Sequence, residues 1–402
     1  MENNVTFTIC AKNYLAQALT LRESFLAHNK CKFLIFLSDL ADCDGLPDVI
    51  ELNDNWIPNY QIMAFKYSVI EFSTSIKPFC FKKLFDEGYD KVMYLDPDIY
   101  VCGNLDIIFS YLDEKSIVLT PHRCNICHYE KNLVQEQHMS KVGIFNLGFI
   151  AVKKDEVGIK IIEWWKEKLT NKCLNDSSLG LFVDQKWIDY IPGYFPNDIH
   201  ISKHLGLNVA TWNLQERNIV EENGTYSVID ELQSIKYNLL FFHFSGYSPL
   251  FPDLLDKRRK NSSLTNYPSL KKLVDEYKDA EVRNNFMLYT SMQYSFNYFS
   301  NKEPIPDFVR KWYYMQQDGL QSKGNPFNSD GYFYSLLSQR GILPKDSSKT
   351  TTWTINGFKT NSTVQKLLYW VLKIGGMNFY LKVVTFMRDL GDMRYHQFLI
   401  EE

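Results

Sequence analysis

Two carboxylates, Asp96 and Asp98, stand two residues apart where an apolar run stops, in Asp90-Lys-Val-Met-Tyr-Leu-Asp96-Pro-Asp98-Ile-Tyr-Val. Residues i and i+2 of an extended backbone point to the same side. Both carboxylates can therefore share one face at the end of a buried strand over 92–95. A second short apolar run, Ile99 to Val101, follows directly. In apolar surroundings the two acids would repel and raise each other's pKa. A divalent cation removes that penalty, and hard oxygen ligands suit Mg2+ or Mn2+. The chemistry such a pair permits is a metal clamp for a diphosphate. A solvated strand-to-turn junction is the plainer reading of the same residues.

Two other places carry groups that could complete such a site. His243 ends the apolar run Leu239-Leu-Phe-Phe and is followed by Ser245-Gly246, where backbone amides can come close to a phosphate. Alone it reads as a structural histidine. Joined to two carboxylates it becomes a third ligand, and that donor set leans toward Mn2+ over Mg2+. Phe182-Val-Asp184-Gln185-Lys-Trp places an acid beside an amide at a turn-to-helix junction; otherwise Asp184 is a helix N-cap. Cys124-Asn-Ile-Cys127-His128, with His122 just before it, spells the c-type haem attachment signature. Attachment would need export. A zinc site from the same stretch would crowd four ligands into seven residues. A loop coincidence is the preferred reading. There is no phosphate-cradling Gly-rich loop, no dinucleotide fingerprint and no Gly-x-Ser-x-Gly.

The elements that must position these groups follow from periodicity. A strand is predicted over 5–9, then a helix with Leu15, Leu19, Arg22, Phe25 and Leu26 on its inner face. Further strands are predicted over 32–37, 116–120 and 143–152, and an amphipathic helix over 157–169. The stretch 64–84 reads as helical with an interruption at Pro78. Strands alternating with helices indicate an α/β fold with a mixed, mainly parallel sheet. In such sheets ligands lie at the carboxyl ends of the strands, which is where Asp96 and Asp98 fall. Beyond the polar, basic connector Asp256-Lys-Arg-Arg-Lys-Asn-Ser-Ser helical patterns dominate. The expected organisation is a catalytic domain over 1–255 and a helical C-terminal region over 256–402. Thr363 to Arg388 carries four basic residues and no acidic one among apolar and aromatic residues. It reads as a core-packed helical pair around Gly375-Gly376, or as a peripheral surface resting on an anionic membrane.

At 402 residues with 45% hydrophobic content, the chain can bury a large core with aromatic surface to spare for flat ligands. A net charge of −3 gives no field that gathers nucleic acid. Met1-Glu-Asn-Asn runs straight into strand-like residues, without the order of a signal peptide. No charge-free window of about eighteen residues is present. The eight scattered cysteines read as reduced thiols, so a cytoplasmic location is expected.

Taken together, the segments resemble a retaining glycosyltransferase of family 8 type with the GT-A, Rossmann-like fold. The resemblance runs in order through Ile9-Cys-Ala-Lys-Asn13-Tyr14, Tyr94-Leu-Asp96-Pro-Asp98, Phe145-Asn146-Leu-Gly148-Phe, Val183-Asp184-Gln185 and His243-Phe-Ser-Gly246. Ala64-Phe-Lys-Tyr and Val209-Ala-Thr-Trp-Asn-Leu suggest a bacterial branch that builds surface polysaccharides. The resemblance implies that Ile9, Ala11 and Asn13 line a base and ribose, with Tyr14 stacking on the base. It implies that Asp96, Asp98 and His243 hold Mn2+ or Mg2+ against a diphosphate. Asn146 and Asp184 would grip the sugar, Gln185 would lie beneath the anomeric carbon, and Gly246 would offer its amide to the phosphate. The donor would be a UDP-sugar and the acceptor a saccharide or lipid-linked saccharide. Where the family has a Lys after its His-x-x-Gly turn, this chain has Tyr247-Ser-Pro249, so Lys77 is the candidate cation. A sugar-nucleotide pyrophosphorylase and a catalytically lapsed nucleotide-sugar binder are the alternatives. The former would normally carry a Gly-rich N-terminal loop, and Ile9-Cys-Ala-Lys-Asn has no glycine.

Overall fold

Apolar runs that do not alternate build strands buried on both faces, and this chain uses them for a central sheet. The computed structural model describes residues 3–39, 46–126, 129–230, 235–259, 262–343, 362–392 and 396. In chain order the strands are β1 (Asn4–Cys10), β2 (Lys32–Leu37), β3 (Val49–Glu51), β4 (Lys91–Leu95), β5 (Ile99–Val101), β6 (Ile117–Leu119), β7 (Phe149–Lys153), β8 (Asn175–Asp176), β9 (Leu181–Phe182), β10 (Ile199–Ile201), β11 (Asn218–Glu222), β12 (Thr225–Asp230), β13 (Ile235–Asn238) and β14 (Phe241–His243). Seven form one sheet in the order β10-β6-β7-β4-β1-β2-β3. All its pairs are parallel except those of β7, which runs antiparallel between β4 and β6. This is the mixed, mainly parallel α/β architecture that the alternation of elements predicts.

Helices cover both faces. The helix Leu15–His28 sets Phe25 against Phe33 of β2 at 5.0 Å, in one apolar cluster with Leu95, Val101, Ile108 and Leu112. On the other face Phe7 of β1 meets Phe81 of the helix Lys77–Asp86 and Tyr94 of β4, edge-on at 5.0 and 5.2 Å. Each such side chain contributes about 1.5–3 kcal/mol by leaving water. The helix Glu156–Lys172 is started by Asp155, whose carboxylate accepts from Gly158 N at 2.8 Å.

Local chemistry moves some expected boundaries. The stretch 64–84 is three helices, Tyr60–Lys66, Val69–Ser75 and Lys77–Asp86. Pro78 opens the last of them, where a missing N–H costs nothing. The strand expected over 143–152 narrows to β7. Its first half is a turn in which Gly148 N donates to Asn146 Oδ1 at 3.1 Å, after Gly143 at φ +120°.

Two compact units result, one of Met1–Tyr60 with Val69–Ser295, the other of Gln61–Ser68 with Phe296–Glu402. The helix Lys271–Arg283, beyond the expected boundary at 255, belongs to the first. In the second, buried Arg310 donates to the carbonyls of Ala64 (3.2 Å), Phe65 (2.8 Å) and Phe296. The Phe65 ring meets Tyr313, Phe327 and Phe333 at 5.0, 4.9 and 5.6 Å. The segment Ser362–Leu390 is two helices joined at Gly376, which sits at φ 71° and ψ 177°. Among its described side chains none is buried, so the core-packed reading of this pair does not hold. No helix among the described residues is long and apolar enough to cross a membrane.

Candidate metal and nucleotide-sugar site

The site forms where β4 stops. Asp96 N donates to Gly148 O at 2.7 Å, and Ile99 N returns to Asp96 O at 3.1 Å, so the two acids sit on a tight turn between β4 and β5. Strand β14 pairs antiparallel with β5 and sets His243 opposite Ile99. Phe244 N then donates to Asp98 O at 2.8 Å. His243 Nε2 lies 3.0 Å from Asp98 Oδ1 and 3.7 Å from Asp96 Oδ2. One ligand atom from each of the three residues lies within 4.8 Å of the others. Burial works against charge on both partners of the His243–Asp98 pair. Their mutual attraction nevertheless lowers the Asp98 carboxyl and raises the His243 imidazole. A group that concentrates negative charge this strongly, with two carboxylates and one imidazole, fits a hard divalent cation.

Asn208 orients the imidazole. Its Oδ1 lies 3.2 Å from His243 Nδ1, so the hydrogen on Nδ1 points to Asn208 and the Nε2 side faces the carboxylates. Its Nδ2 donates to Thr120 Oγ1 (2.9 Å) and Asn146 Oδ1 (3.1 Å). Asn208 itself is at φ 53°, a left-handed conformation Asn tolerates. Gly148 makes room: a Cβ there would stand 2.4 Å from His243 Cε1 and 2.8 Å from Asn146 Oδ1. Asn146 also donates to His122 Nε2 at 3.3 Å. Burial lowers the His122 pKa to about 4, leaving it a neutral acceptor at that nitrogen.

On the other flank, buried Lys77 Nζ contacts Asp184 Oδ2 at 2.9 Å, Leu147 O at 2.8 Å and Asp96 Oδ1 at 3.5 Å. It lies 4.2 Å above the Tyr94 ring, whose hydroxyl donates to Asp96 Oδ1 at 2.6 Å. Burial opposes the charge on Lys77, but Asp184 and Asp96 outweigh it and hold the ammonium protonated. Asp96 thus has Oδ1 anchored to the protein while Oδ2 faces His243. Asp184 is 2% exposed, and burial pushes its carboxyl up against the pull of Lys77. Val183 before it has φ +41°, a strained value for a β-branched residue. Gln185 uses both ends of its amide on backbone: Oε1 accepts from Leu147 N at 3.0 Å and Nε2 donates to Val142 O at 2.9 Å.

Ile9 and Ala11 are buried at the carboxyl end of β1, and the short 3-10 turn Lys12–Tyr14 follows. Asn13 Oδ1 is buried without a partner among the described residues, and the Tyr14 ring is half-exposed. Gly246 holds φ +84°. A Cβ there would meet Asp256 Oδ1 at 2.2 Å and Arg258 Nε at 2.6 Å. Arg258 is clamped by Asp256 (Nε–Oδ1 2.8 Å, Nη2–Oδ2 3.1 Å) and donates from Nη2 to Ser245 O at 3.0 Å. Among the described residues its Nη1 makes no hydrogen bond, and it stands within electrostatic reach of Asp98 and Tyr14.

Sequence reasoning passed over Asn208 and Arg258. The one immediately precedes the Val209-Ala-Thr-Trp run, and the other sits in a stretch that reads as a connector. Of the haem or zinc candidates, His122 Nδ1 donates to Ile144 O (3.1 Å) and Cys124 Sγ accepts from Arg217 Nη2 (3.6 Å). Cys127 and His128 lie outside the described residues.

No family model matches the chain. It is 29% identical over 179 residues to an uncharacterized protein, YfnF, of Bacillus subtilis (strain 168), a match covering 44% of this chain and 57% of that relative. Solved structures similar to it include the galactosyltransferase LgtC in complex with donor and acceptor sugar analogs (15% identity, 70% of this chain and 95% of that one, TM-score 0.42). Others are mouse xyloside xylosyltransferase 1 (14%, 60% and 97%, TM-score 0.35) and the glycosyltransferase GlyE of Streptococcus pneumoniae TIGR4 (16%, 74% and 67%, TM-score 0.37).

Proposed function

We propose that the first unit is a metal-dependent, retaining glycosyltransferase that moves a hexose from a UDP-sugar to a saccharide or lipid-linked acceptor in surface-polysaccharide synthesis. The observation that carries this reading is the Asp96–Asp98–His243 cluster at the carboxyl end of β4, with its imidazole oriented by Asn208. Asp96 Oδ2, Asp98 Oδ1 and His243 Nε2 would hold Mn2+, or less well Mg2+. That ion, when bound, neutralises the growing charge on the leaving diphosphate as a Lewis acid.

The chain's own residues do the rest. Asn13 and Tyr14 receive the base and ribose. Arg258, rather than Lys77, supplies the diphosphate cation, because Lys77 is committed to Asp184, Asp96 and a carbonyl while Arg258 Nη1 has no partner among the described residues. Asp184, fixed by Lys77, takes the sugar hydroxyls together with Asn146. Gln185, locked by two backbone bonds, is a static dipole beneath the anomeric carbon rather than a nucleophile. The acceptor hydroxyl attacks on the face the diphosphate leaves, and its proton passes to the leaving phosphate oxygen. The C1–O bond to the acceptor forms as the bond to UDP breaks through an oxocarbenium-like state.

The test is UDP release from a panel of UDP-sugars with Mn2+, beside EDTA and Asp98→Ala, with UDP-dependent thermal stabilisation measured in parallel. Release from one donor that both controls abolish is expected. Release that survives EDTA and Asp98→Ala, or no Mn2+-dependent stabilisation by UDP at all, overturns the proposal.

A further inference from the structure

The helix pair Ser362–Leu390 exposes large apolar side chains along its length, and the site above uses none of them. In the first helix Leu367, Trp370 and Ile374 fall at i, i+3 and i+7, which places them on one stripe. Leu367 is 63% exposed and Ile374 83%. In the second, Phe379, Lys382, Phe386 and Leu390 share a stripe in the same way, and the three apolar members are exposed. The break between them is built in: Gly376 adopts a φ that favours glycine, and a Cβ on Gly375 would stand 2.3 Å from the Phe379 ring. Each half is only about 20 Å long at 1.5 Å per residue, short of the roughly 30 Å of a bilayer core. These helices are built to lie flat and not to span.

Charge selects the occupant. The segment carries Lys366, Lys373, Lys382 and Arg388 against one acid, Asp389, in a chain whose net charge is −3. Lys373 lies 5.6 Å over the Tyr369 ring, beside Trp370. Lysines flanking an aromatic, apolar stripe suit the boundary between acyl chains and anionic headgroups. A second copy seated on this face would bring like charges together.

We infer that residues 362–390 dock on an anionic lipid surface, with the apolar members of the stripes inward and the lysines, Lys382 included, extending their ammonium groups to the headgroups. The inference does not depend on the donor or on the metal. The experiment is flotation of the full chain with phosphatidylcholine vesicles, with and without phosphatidylglycerol, alongside Lys366→Glu/Lys373→Glu/Lys382→Glu and Trp370→Glu/Phe379→Glu variants. All of these positions are exposed or lie in a helix with no buried contact, so both variants should keep the thermal midpoint of the parent. The wild-type chain is expected to float with anionic vesicles and to be released by salt. Either variant is expected to lower partitioning by more than about tenfold. No binding to anionic vesicles, or equal recovery of the charge-reversed variant, overturns the inference. So does a dimer in sedimentation velocity that Trp370→Glu/Phe379→Glu dissociates while vesicle binding stays unchanged.

Discussion

Which imidazole nitrogen of His243 carries the hydrogen is decided by one amide. Asn208 accepts from Nδ1 and is itself held by Thr120 and Asn146. Removing it while keeping the left-handed backbone requires glycine, so Asn208→Gly is the informative substitution. It should weaken apparent Mn2+ affinity by about 10–100-fold, the usual cost of losing a group that orients a ligand. Mn2+ titration of UDP binding measures this; an unchanged Mn2+ midpoint would show that the tautomer is set elsewhere. Lys77 works on the same scale in the opposite sense. It gives Asp184 and one oxygen of Asp96 a permanent counter-charge, which leaves the other Asp96 oxygen to face His243.

At the scale of elements, the turn after β14 decides where the cation stands. Gly246 lets the Asp256–Arg258 pair pass directly against the backbone of Ser245. Gly246→Ala introduces a strained φ worth about 1–3 kcal/mol and pushes that pair away. Its UDP affinity should fall at least as far as that of Arg258→Gln, which leaves the backbone alone. Calorimetric UDP titration of both variants checks it; wild-type affinity in a destabilised Gly246→Ala would remove Arg258 from the diphosphate. Elements of this kind were unequally legible in the sequence. Asp96, Asp98 and His243 each end an apolar strand run, and that pattern locates them. The β5–β14 pairing that brings them together joins residues far apart in the chain and has no local signature. Asn208 and Arg258 are single polar residues outside any period. For the pair 362–390 the sequence left a core-packed and a surface-lying reading open, because an apolar helical stripe looks alike in either setting.

For the molecule as a whole, one buried acid couples stability to pH. Glu281, on the helix Lys271–Arg283, is 1% exposed, and its Oε2 has no hydrogen-bond partner among the described residues. Burial raises its pKa from 4.5 to about 8; the Tyr277 hydroxyl opposes the rise and Asp98 adds to it. The folded chain therefore holds this proton more tightly than the unfolded chain. Its contribution is complete below about pH 4.5 and is lost as pH climbs through about 8. Glu281→Gln should match the wild type near pH 5 and exceed it increasingly toward pH 8 in urea denaturation. Parallel pH slopes in the two proteins would refute this. The pairing of β14 with β5 has a consequence in time as well as in space. At about 5–20 residues per second, a ribosome finishes His243 roughly seven to thirty seconds after Asp96. Throughout that interval the nascent chain carries both carboxylates without the imidazole that joins them. The Asp96–Asp98–His243 cluster is therefore a late product of synthesis, assembled only after nearly all of the surrounding sheet has been made.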